Sequence, residues 1–363
     1  MSEFSQKQDR VQTLLEERKL DALLLRRVSS FAWATCGAAS YVNTATTNGE
    51  GALVMTPSGR HVVTNNIEAT RLEREEKLTA QGWDFRVVPW HQAQDTVAEL
   101  TRGLRLGADG PYPDATDLSE DLAHLRAHLT REEGERFRAL GRLCTEAMES
   151  AARMLSPGQT EYQIAGLLAR EAESRGVQAI VNLVATDKRV FDFRHPLPTD
   201  KKLERYAMLV LCGRKWGLVA SVTRFVHFGS LPSELRGKQQ AVAQVDAAFI
   251  AASRPGARIA DIFRKGVEAY AKAGYPHEWK LHHQGGVVGY EPREHLATPT
   301  SSQVVKAGQA FAWNPSITGV KSEDTILIGE KGGEVITAME DWPRIPVQVE
   351  GQSIERAAIL EVA

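Results

Sequence analysis

The sequence predicts a small N-terminal α/β domain followed by a larger α+β domain, in which paired helices cover an antiparallel-rich sheet. The chain has 363 residues, and domains usually have roughly 100–200 residues, so two domains are expected. Strand-length apolar runs alternate with helical patterns in the first third of the chain. Two pairs of amphipathic stretches follow, and a Pro-Gly step divides each pair. We therefore predict one domain over residues 1–128 and a second over residues 129–363.

The N-terminal domain begins with a helical pattern and continues mainly as strands. Val11, Leu14 and Leu15 recur at the spacing of one helical face. Short apolar runs follow, and the turn residues Pro57 and Gly59 separate two of them. The predicted strands cover residues 21–25, 51–55, 61–64, 85–90 and 104–107.

The C-terminal domain begins with a helix whose start has a capping signature. Thr130 is followed three residues later by Glu133, which is the pattern of a capping box. An apolar face continues through residues 137–148 at three- and four-residue steps. The Pro-Gly step at 157–158 ends this helix, and a second amphipathic helix is predicted from residue 161.

The same order of elements recurs later in the chain. A helix is predicted over residues 234–252, Pro-Gly follows at 255–256, and another helix is predicted over residues 259–273. This weak internal duplication is typical of two similar α/β halves. The strands predicted between and after these helices cover residues 207–211, 218–225, 311–313 and 325–328.

Composition argues against several classes of protein. Lys plus Arg number 44 and Asp plus Glu 46, a formal net charge of -2, so neither nucleic acid nor an anionic membrane is expected as a partner. No apolar run reaches the ~20 residues of a membrane span, and the N-terminus lacks the apolar core of a signal peptide. The three cysteines are too widely separated for a disulfide framework or a zinc motif. These features favour a cytoplasmic location.

Six segments, in the right order, resemble the creatinase, prolidase and aminopeptidase P family. They are residues 20–25, 157–161, 217–224, 282–294, 311–315 and 321–325. The resemblance implies a creatinase-like N-terminal domain and a C-terminal domain of the pita-bread fold. It also implies a small-molecule or short-peptide substrate, and a homodimer in which the N-terminal domain of one chain approaches the site of its neighbour.

The sequence departs from that family at the metal ligands. By resemblance, the peptidases hold two divalent metals with two Asp, one His and two Glu, and only Glu323 is retained here. The other positions hold Ser221 for the second Asp, Gly286 for the His, Asn314 for the first Glu, and Val210 or Cys212 for the first Asp. Hard divalent cations need several oxygen ligands, so one carboxylate is too few.

Other residues do not rebuild a metal site in this interpretation. His282 and His283 are adjacent, so on a strand their side chains would point to opposite faces. Cys212 with one of these histidines supplies too few ligands for zinc. We therefore expect no metal and no other cofactor.

His195 is the first candidate catalytic residue. Creatinase has this fold, uses no metal and relies on a His before the first central strand, and the resemblance places His195 at that position. An imidazole is suited to proton transfer near neutral pH. The alternative is that His195 is only a surface or core-edge residue in a Pro-rich loop.

Glu323 is the second candidate, because a buried carboxylate needs a cation or a proton. Arg224, Arg293 or a cationic substrate could supply the charge, and a structural salt bridge is the alternative. Arg293 could equally dock a substrate carboxylate. In creatinase-like sites, by resemblance, paired carboxylates hold a guanidinium, and Asn314 replaces one of them. Asn314 and Ser221 are expected to contact the substrate together with the two arginines.

The leading hypothesis is a metal-independent, creatinase-like hydrolase of a C–N bond in a small nitrogen-rich molecule. His195 would act as general base and then as general acid, and Glu323 would orient or stabilise charge. The alternatives are an Xaa-Pro dipeptidase or aminopeptidase, and a non-catalytic pita-bread protein that only binds its ligand.

Overall fold

The computed structural model describes residues 1–92 and 94–363. Its internal contacts divide the chain into two compact units. The N-terminal unit comprises Met1–Glu133 with Trp216–Leu218, and the C-terminal unit comprises Gly134–Lys215 with Val219–Ala363. A domain boundary at residue 128 stays a prediction.

The N-terminal unit is built on a mixed six-stranded sheet in the order β4-β3-β2-β1-β5-β6. The strands are β1 Ala22–Arg27, β2 Asn48–Thr56, β3 Gly59–Asn65, β4 Asp84–Val88, β5 Leu106–Ala108 and β6 Ala115–Asp117. The helices are α1 Glu3–Arg18, α2 Val28–Ala34, α3 Ala69–Arg74, α4 Thr96–Leu100 and α5 Ser119–Arg126. The predicted α/β character is confirmed, although β5 begins two residues later than predicted.

Helix α1 shows how the local sequence sets these elements. Ser2 caps the helix by accepting a hydrogen bond from the backbone N–H of Ser5 at 3.2 Å. Val11, Leu14 and Leu15 are buried, as their spacing predicts. The chain leaves the helix at Lys19, where φ is 56°.

The C-terminal unit contains two sheets and two hairpins. Its helices are α6 Arg131–Arg153 (which begins in the N-terminal unit), α7 Glu161–Glu173, α8 Lys188–Asp192, α9 Ser233–Ala252 and α10 Ile259–Lys272. Its strands are β7 Gln178–Thr186, β8 Tyr206–Lys215, β9 Leu218–Phe228 (whose first residue belongs to the N-terminal unit), β10 Gly285–Val288, β11 His295–Leu296, β12 Ala310–Trp313, β13 Ser316–Ile317, β14 Val320–Lys321, β15 Asp324–Gly329, β16 Gly332–Val335, β17 Arg344–Val349, β18 Gln352–Ala357 and β19 Leu360–Val362.

The two sheets have different strand orders. One sheet has four strands in the order β19-β9-β8-β7, and the other has five in the order β11-β10-β12-β15-β16. The hairpins are β13-β14 and β17-β18. The pairs β7-β8, β10-β11, β10-β12, β12-β15 and β15-β16 are antiparallel, and β19 runs parallel to β9. The antiparallel-rich sheet predicted for this part of the chain is therefore confirmed.

The predicted internal duplication is visible in the two helix pairs. In both Pro-Gly steps the glycine adopts a left-handed conformation, with φ of 93° at Gly158 and 88° at Gly256. After each step an isolated antiparallel bridge precedes the next helix, Thr160 with Lys202 before α7 and Arg258 with Val304 before α10. Helices α6 and α7 thus lead into the four-stranded sheet, and α9 and α10 lead into the five-stranded sheet.

The predicted capping box at the start of α6 is also present. The backbone N–H of Thr130 donates to the Glu133 carboxylate at 2.6 Å, and the N–H of Glu133 donates to the Thr130 hydroxyl at 3.2 Å. No helix of the described residues is long and apolar enough to cross a membrane.

Candidate functional site

Three histidines of the C-terminal unit form one cluster, which we call the histidine cluster: His195, His282 and His283. One ring nitrogen from each lies within 4.8 Å of the others. The Nε2 atoms of His195 and His282 are 2.9 Å apart. The rings of His282 and His283 stack with centroids 4.3 Å apart, and the His195 and His282 centroids are 4.8 Å apart.

Contacts beside the cluster hold its two chain segments together. Arg194, next to His195, forms a salt bridge of 2.9 Å with Glu278, which lies in the short 3-10 helix just before His282. Gln284 donates to the carbonyl oxygen of His282 at 2.6 Å and accepts from the Tyr270 hydroxyl at 2.9 Å. The cluster therefore rests on polar contacts between residues far apart in sequence.

The expectation that His282 and His283 point to opposite faces is wrong. Alternation applies to consecutive residues within a pleated strand, and β10 begins only at Gly285. His282 instead follows the 3-10 helix Glu278–Leu281 with an extended backbone, and the two rings stack with 28° between their planes. Both imidazoles consequently reach His195.

The cluster is neutral at pH 7. Burial lowers the pKa of His282 to about 2, and the Lys321 charge and the two neighbouring imidazoles add to the effect. Burial, with Arg293 and Lys321, lowers the pKa of His283 to about 4. Partial burial and Lys321 also lower the pKa of His195, while the charge of Glu323 raises it. Each neutral ring therefore has one protonated and one unprotonated nitrogen, and in the 2.9 Å contact one Nε2 donates to the other.

Glu323 lies between β14 and β15 and is 2% exposed. Its carboxylate is 3.1 Å from the Lys321 ammonium and 3.3 Å from the Arg293 guanidinium, and it accepts a hydrogen bond of 2.5 Å from the Thr223 hydroxyl. Burial raises the pKa of Glu323, but the two cations and the hydroxyl outweigh it and lower the pKa to about 2. Glu323 is therefore ionised at neutral pH.

Arg224 has a different carboxylate partner from the one considered in the sequence analysis. Its guanidinium donates to the Asp324 carboxylate at 2.8 Å and reaches only the backbone oxygen of Glu323, at 3.3 Å. The reason is backbone alternation, because Glu323 and Asp324 are adjacent and present their side chains in different directions. Arg293 and Lys321 are the cations that neutralise Glu323.

Neutral groups occupy three positions aligned with the family's metal ligands, with Cys212 taken for the first Asp, and two of these groups contact each other. The Ser221 hydroxyl lies 3.3 Å from the Cys212 thiol. Burial raises the pKa of Cys212, and the Glu323 charge adds to this, so the thiol stays protonated at neutral pH. Asn314 is 2% exposed, and its side-chain oxygen is buried without a hydrogen-bond partner.

Gly286 leaves no room for a ligand side chain. A Cβ atom at this position would lie 2.1 Å from the carbonyl oxygen of His295. A neutral thiol, a hydroxyl, an amide and a glycine do not fit a centre that needs several anionic oxygens for two divalent ions. Glu323, the one carboxylate left, is already paired with two cations.

A surface cavity of about 530 Å³ is lined in part by Arg293, which contacts Glu323, and by His295 and Thr298. Its volume is within the range of small-ligand sites. Another cavity, of about 680 Å³, is bordered by α9, α10 and β17 and includes none of the candidate residues.

Some residues of the site were not predicted from the sequence. Lys321 and Thr223 both contact the Glu323 carboxylate. Lys321 could have been found, because it stands two residues before Glu323 and residues i and i+2 of an extended segment share a face. Nothing in the sequence pattern links His282 and His283 to His195, since they are 87 and 88 positions away.

Comparisons with known proteins agree with this architecture. The sequence profile of metallopeptidase family M24 matches residues 135–330, and that of the creatinase/prolidase N-terminal domain matches residues 7–127. An uncharacterized peptidase of Staphylococcus saprophyticus is 26% identical over 237 residues, which are 62% of this chain and 66% of that protein. The match thus spans just under two thirds of the relative's length.

Solved structures show the same fold. The prolidase of Pyrococcus horikoshii superposes with a TM-score of 0.79 at 17% identity, covering 92% of this chain and 99% of that one. The Xaa-Pro dipeptidase of Bacillus anthracis gives a TM-score of 0.78 at 19% identity, covering 99% and 100%. The predicted creatinase-like domain followed by a pita-bread domain is confirmed. Because the M24 profile covers more than half of its residues, the chain belongs to metallopeptidase family M24.

Proposed function

We propose that this protein hydrolyses a C–N bond in a short peptide, or in a small molecule of similar size, that carries a free carboxylate. His195 is the general base, and the two-metal centre typical of the family takes no part. The observation that carries the proposal is the neutral His195–His282 pair, with a distance of 2.9 Å between the Nε2 atoms. This pair lies within the electrostatic influence of Glu323, Arg293 and Lys321.

His195 meets the requirements for a base. Its lowered pKa leaves the ring unprotonated at neutral pH, so it can accept a proton from water. The proposal takes the tautomer in which the Nε2–H of His195 donates to the Nε2 of His282. This contact fixes the ring orientation and leaves the Nδ1 lone pair of His195 to accept the proton. The alternative, a His195 with only a structural role, gives no reason for a second buried imidazole against it.

The reaction then needs two proton transfers. Water loses a proton to His195 while its oxygen bonds to the carbonyl carbon of the substrate, and the positive charge of Lys321 stabilises the oxyanion that forms. The C–N bond breaks as the protonated His195 gives its proton to the leaving nitrogen. The products are a carboxylic acid and an amine, and His195 is regenerated in its neutral form.

Charge favours a substrate with a carboxylate. Glu323 carries one negative charge, while Arg293 and Lys321 carry two positive charges beside it. The excess positive charge attracts a carboxylate, for which an Arg guanidinium offers two parallel hydrogen bonds. It disfavours a guanidinium, so creatine-like substrates fit less well than peptides. The structural relatives include a prolidase and an Xaa-Pro dipeptidase, which supports the same choice.

Asn314 is better placed than Ser221 to contact the substrate. The buried, unpartnered side-chain oxygen of Asn314 can accept a hydrogen bond from a substrate N–H group. Ser221 is 0% exposed and already bonds to Cys212, so we assign it a supporting role. Arg224, paired with Asp324, holds neighbouring strands rather than the substrate.

The test is turnover by chelator-treated protein. The enzyme is dialysed against EDTA, its metal content is checked by mass spectrometry, and Xaa-Pro dipeptides, other dipeptides and creatine are assayed by chromatography of the products. We expect cleavage of dipeptides to persist in the chelator and to fall about 100-fold or more in His195→Ala. His91→Ala, in the N-terminal unit, is the matched control and should retain activity.

Two outcomes overturn the proposal. Activity that disappears with EDTA and returns with Mn²⁺ would identify a metal-dependent peptidase. No turnover on any substrate, together with thermal stabilisation by dipeptides, would identify the non-catalytic binding protein considered in the sequence analysis.

The proposal includes a homodimer in the cytoplasm. The dimer follows from the family resemblance, and the location from three cysteines that are all free. Light scattering after gel filtration tests for the homodimer, and fractionation of cells tests the cytoplasmic location.

A further inference from the structure

We propose that His195, His282 and His283 form a binding site for a single transition-metal ion such as Zn²⁺. This site is distinct from the two-metal centre of the family. The inference concerns binding and stands without the proposed hydrolysis, although both concern the same imidazoles.

The geometry suits one ion. Zinc binds imidazole nitrogens at about 2.0–2.1 Å in a tetrahedral arrangement, which separates two ligand nitrogens by about 3.3 Å. In the cluster one separation is 2.9 Å, and one nitrogen from each ring lies within 4.8 Å of the others. Three histidines with an open fourth position are an established zinc ligand set.

The chemical state of the rings also suits a metal. A histidine must be neutral to bind one, and the three rings are neutral at pH 7. The Nδ1 atom of His282 is moreover buried without a hydrogen-bond partner. Neutral imidazoles prefer Zn²⁺, Cu²⁺, Ni²⁺ and Co²⁺ to the hard ions Mg²⁺ and Ca²⁺.

None of these histidines stands at a metal-ligand position of the family. The aligned position for the family's metal-binding His is Gly286, where a side chain has no room. His282 and His283 precede it, outside strand β10. An ion held by the cluster is therefore bound by a ligand set that the family does not use.

Nearby charges set the strength of binding. The positive charges of Lys321 and Arg293 disfavour protonation of the cluster, and they repel a metal cation in the same way. The negative charge of Glu323 favours protonation and also favours metal binding. Lys321→Met removes one positive charge and keeps most of the side-chain volume. We expect this variant to bind Zn²⁺ more tightly than the wild type.

Metal binding has one consequence for the proposed hydrolysis, and this consequence alone depends on that proposed function. An ion bound to His195 occupies the lone pair that would accept the proton from water. Zn²⁺ should therefore inhibit the hydrolysis in proportion to its occupancy of the cluster.

The experiment is titration of the chelator-stripped full-length protein with Zn²⁺ by calorimetry, and with Co²⁺ by visible absorption. We expect about one equivalent of Zn²⁺ and tetrahedral Co²⁺ bands. His195→Ala, His282→Ala and His283→Ala should each weaken binding about tenfold or more. His91→Ala and His124→Ala control for surface histidines, and Glu323→Gln should keep one equivalent. Circular dichroism and thermal melting confirm that each variant is folded.

Zn²⁺ binding that is unchanged in the three histidine variants overturns the proposal. A stoichiometry near two Zn²⁺ ions per chain that is lost in Glu323→Gln also overturns it. Should one variant fail to fold, the other two and Lys321→Met still decide the matter. Binding without any hydrolysis would overturn only the proposed function, and hydrolysis without binding would overturn only the metal site.

Discussion

A Cβ atom at Gly286 would lie 2.1 Å from the His295 carbonyl oxygen and 2.8 Å from the backbone nitrogen of Ala297. Both neighbours are backbone atoms, so they cannot move aside as a flexible side chain could. Restoring the family's histidine here, in Gly286→His, should therefore lower the free energy of unfolding by about 1–3 kcal/mol. It should not produce Mn²⁺ binding, because the other altered positions still lack carboxylates.

Urea unfolding and the Mn²⁺ content after desalting measure the two effects. Gly237→Ala is the control, because Gly237 lies in α9 and its Cβ would meet nothing within 4 Å. That change should stabilise the protein by about 0.5–1 kcal/mol. A Gly286→His variant with wild-type stability and bound Mn²⁺ would show that the loss of the family's site is reversible at one position.

At the scale of the elements, Asp187 holds the connection between β7 and β8. Its carboxylate accepts hydrogen bonds from the backbone N–H groups of Glu204, Arg205 and Tyr206 at 2.9, 2.8 and 3.0 Å. Burial raises the pKa of Asp187, but these bonds and Lys201 outweigh it, and the net pKa is lowered. The start of β8 is thus fixed by an ionised side chain.

The lowered pKa determines how stability depends on pH. The unfolded chain binds the proton more readily, so the stabilisation is complete at neutral pH. It is lost as the pH falls from about 4 through the lowered folded-state pKa. We expect Asp187→Asn to cost about 1–3 kcal/mol at pH 7 and to remove this part of the acid dependence.

Unfolding in urea at several pH values between 3 and 7 checks the prediction for Asp187. Asp192→Asn is the control, because its exposed pair with Lys188 in α8 should contribute under about 1 kcal/mol. Parallel stability curves for wild type and Asp187→Asn across this range would contradict the assignment.

The elements that could be predicted from the sequence are those set by local contacts. The bonds between Thr130 and Glu133 lie within one turn, and the Pro-Gly steps act on the residues beside them. The histidine cluster could not be predicted in this way. It depends on Arg194 meeting Glu278, and residues 84 positions apart in sequence carry no pairing signal of their own.

At the scale of the whole C-terminal unit, four buried charges connect separate layers of the fold. Arg356 of β18 lies 2.6 Å from Asp246 of α9 and 2.5 Å from Asp324 of β15. Arg224 of β9 lies 2.8 Å from the other oxygen of Asp324. Two positive and two negative charges thus join a helix, a hairpin and both sheets, directly beside Glu323.

Removing one member of this network should affect the whole unit. Arg356→Met leaves two buried carboxylates with one cation, and loss of one partner of a buried pair typically costs about 3–5 kcal/mol. Adding Asp246→Asn removes one unmatched charge and should recover part of this loss. Arg236→Met breaks only an exposed pair with Glu361 and should change stability by less than about 1 kcal/mol.

The two single variants and the double variant are compared by urea unfolding, followed by circular dichroism and by tryptophan fluorescence. Trp313 of β12 and Trp342, both buried, contribute to the fluorescence of the seven tryptophans from two parts of the unit. If the network connects the layers, Arg356→Met lowers the urea midpoint by the same amount in circular dichroism and in tryptophan fluorescence. A loss under about 1 kcal/mol, or fluorescence that changes at a different urea concentration from circular dichroism, would mean that each layer is stabilised by its own apolar core instead.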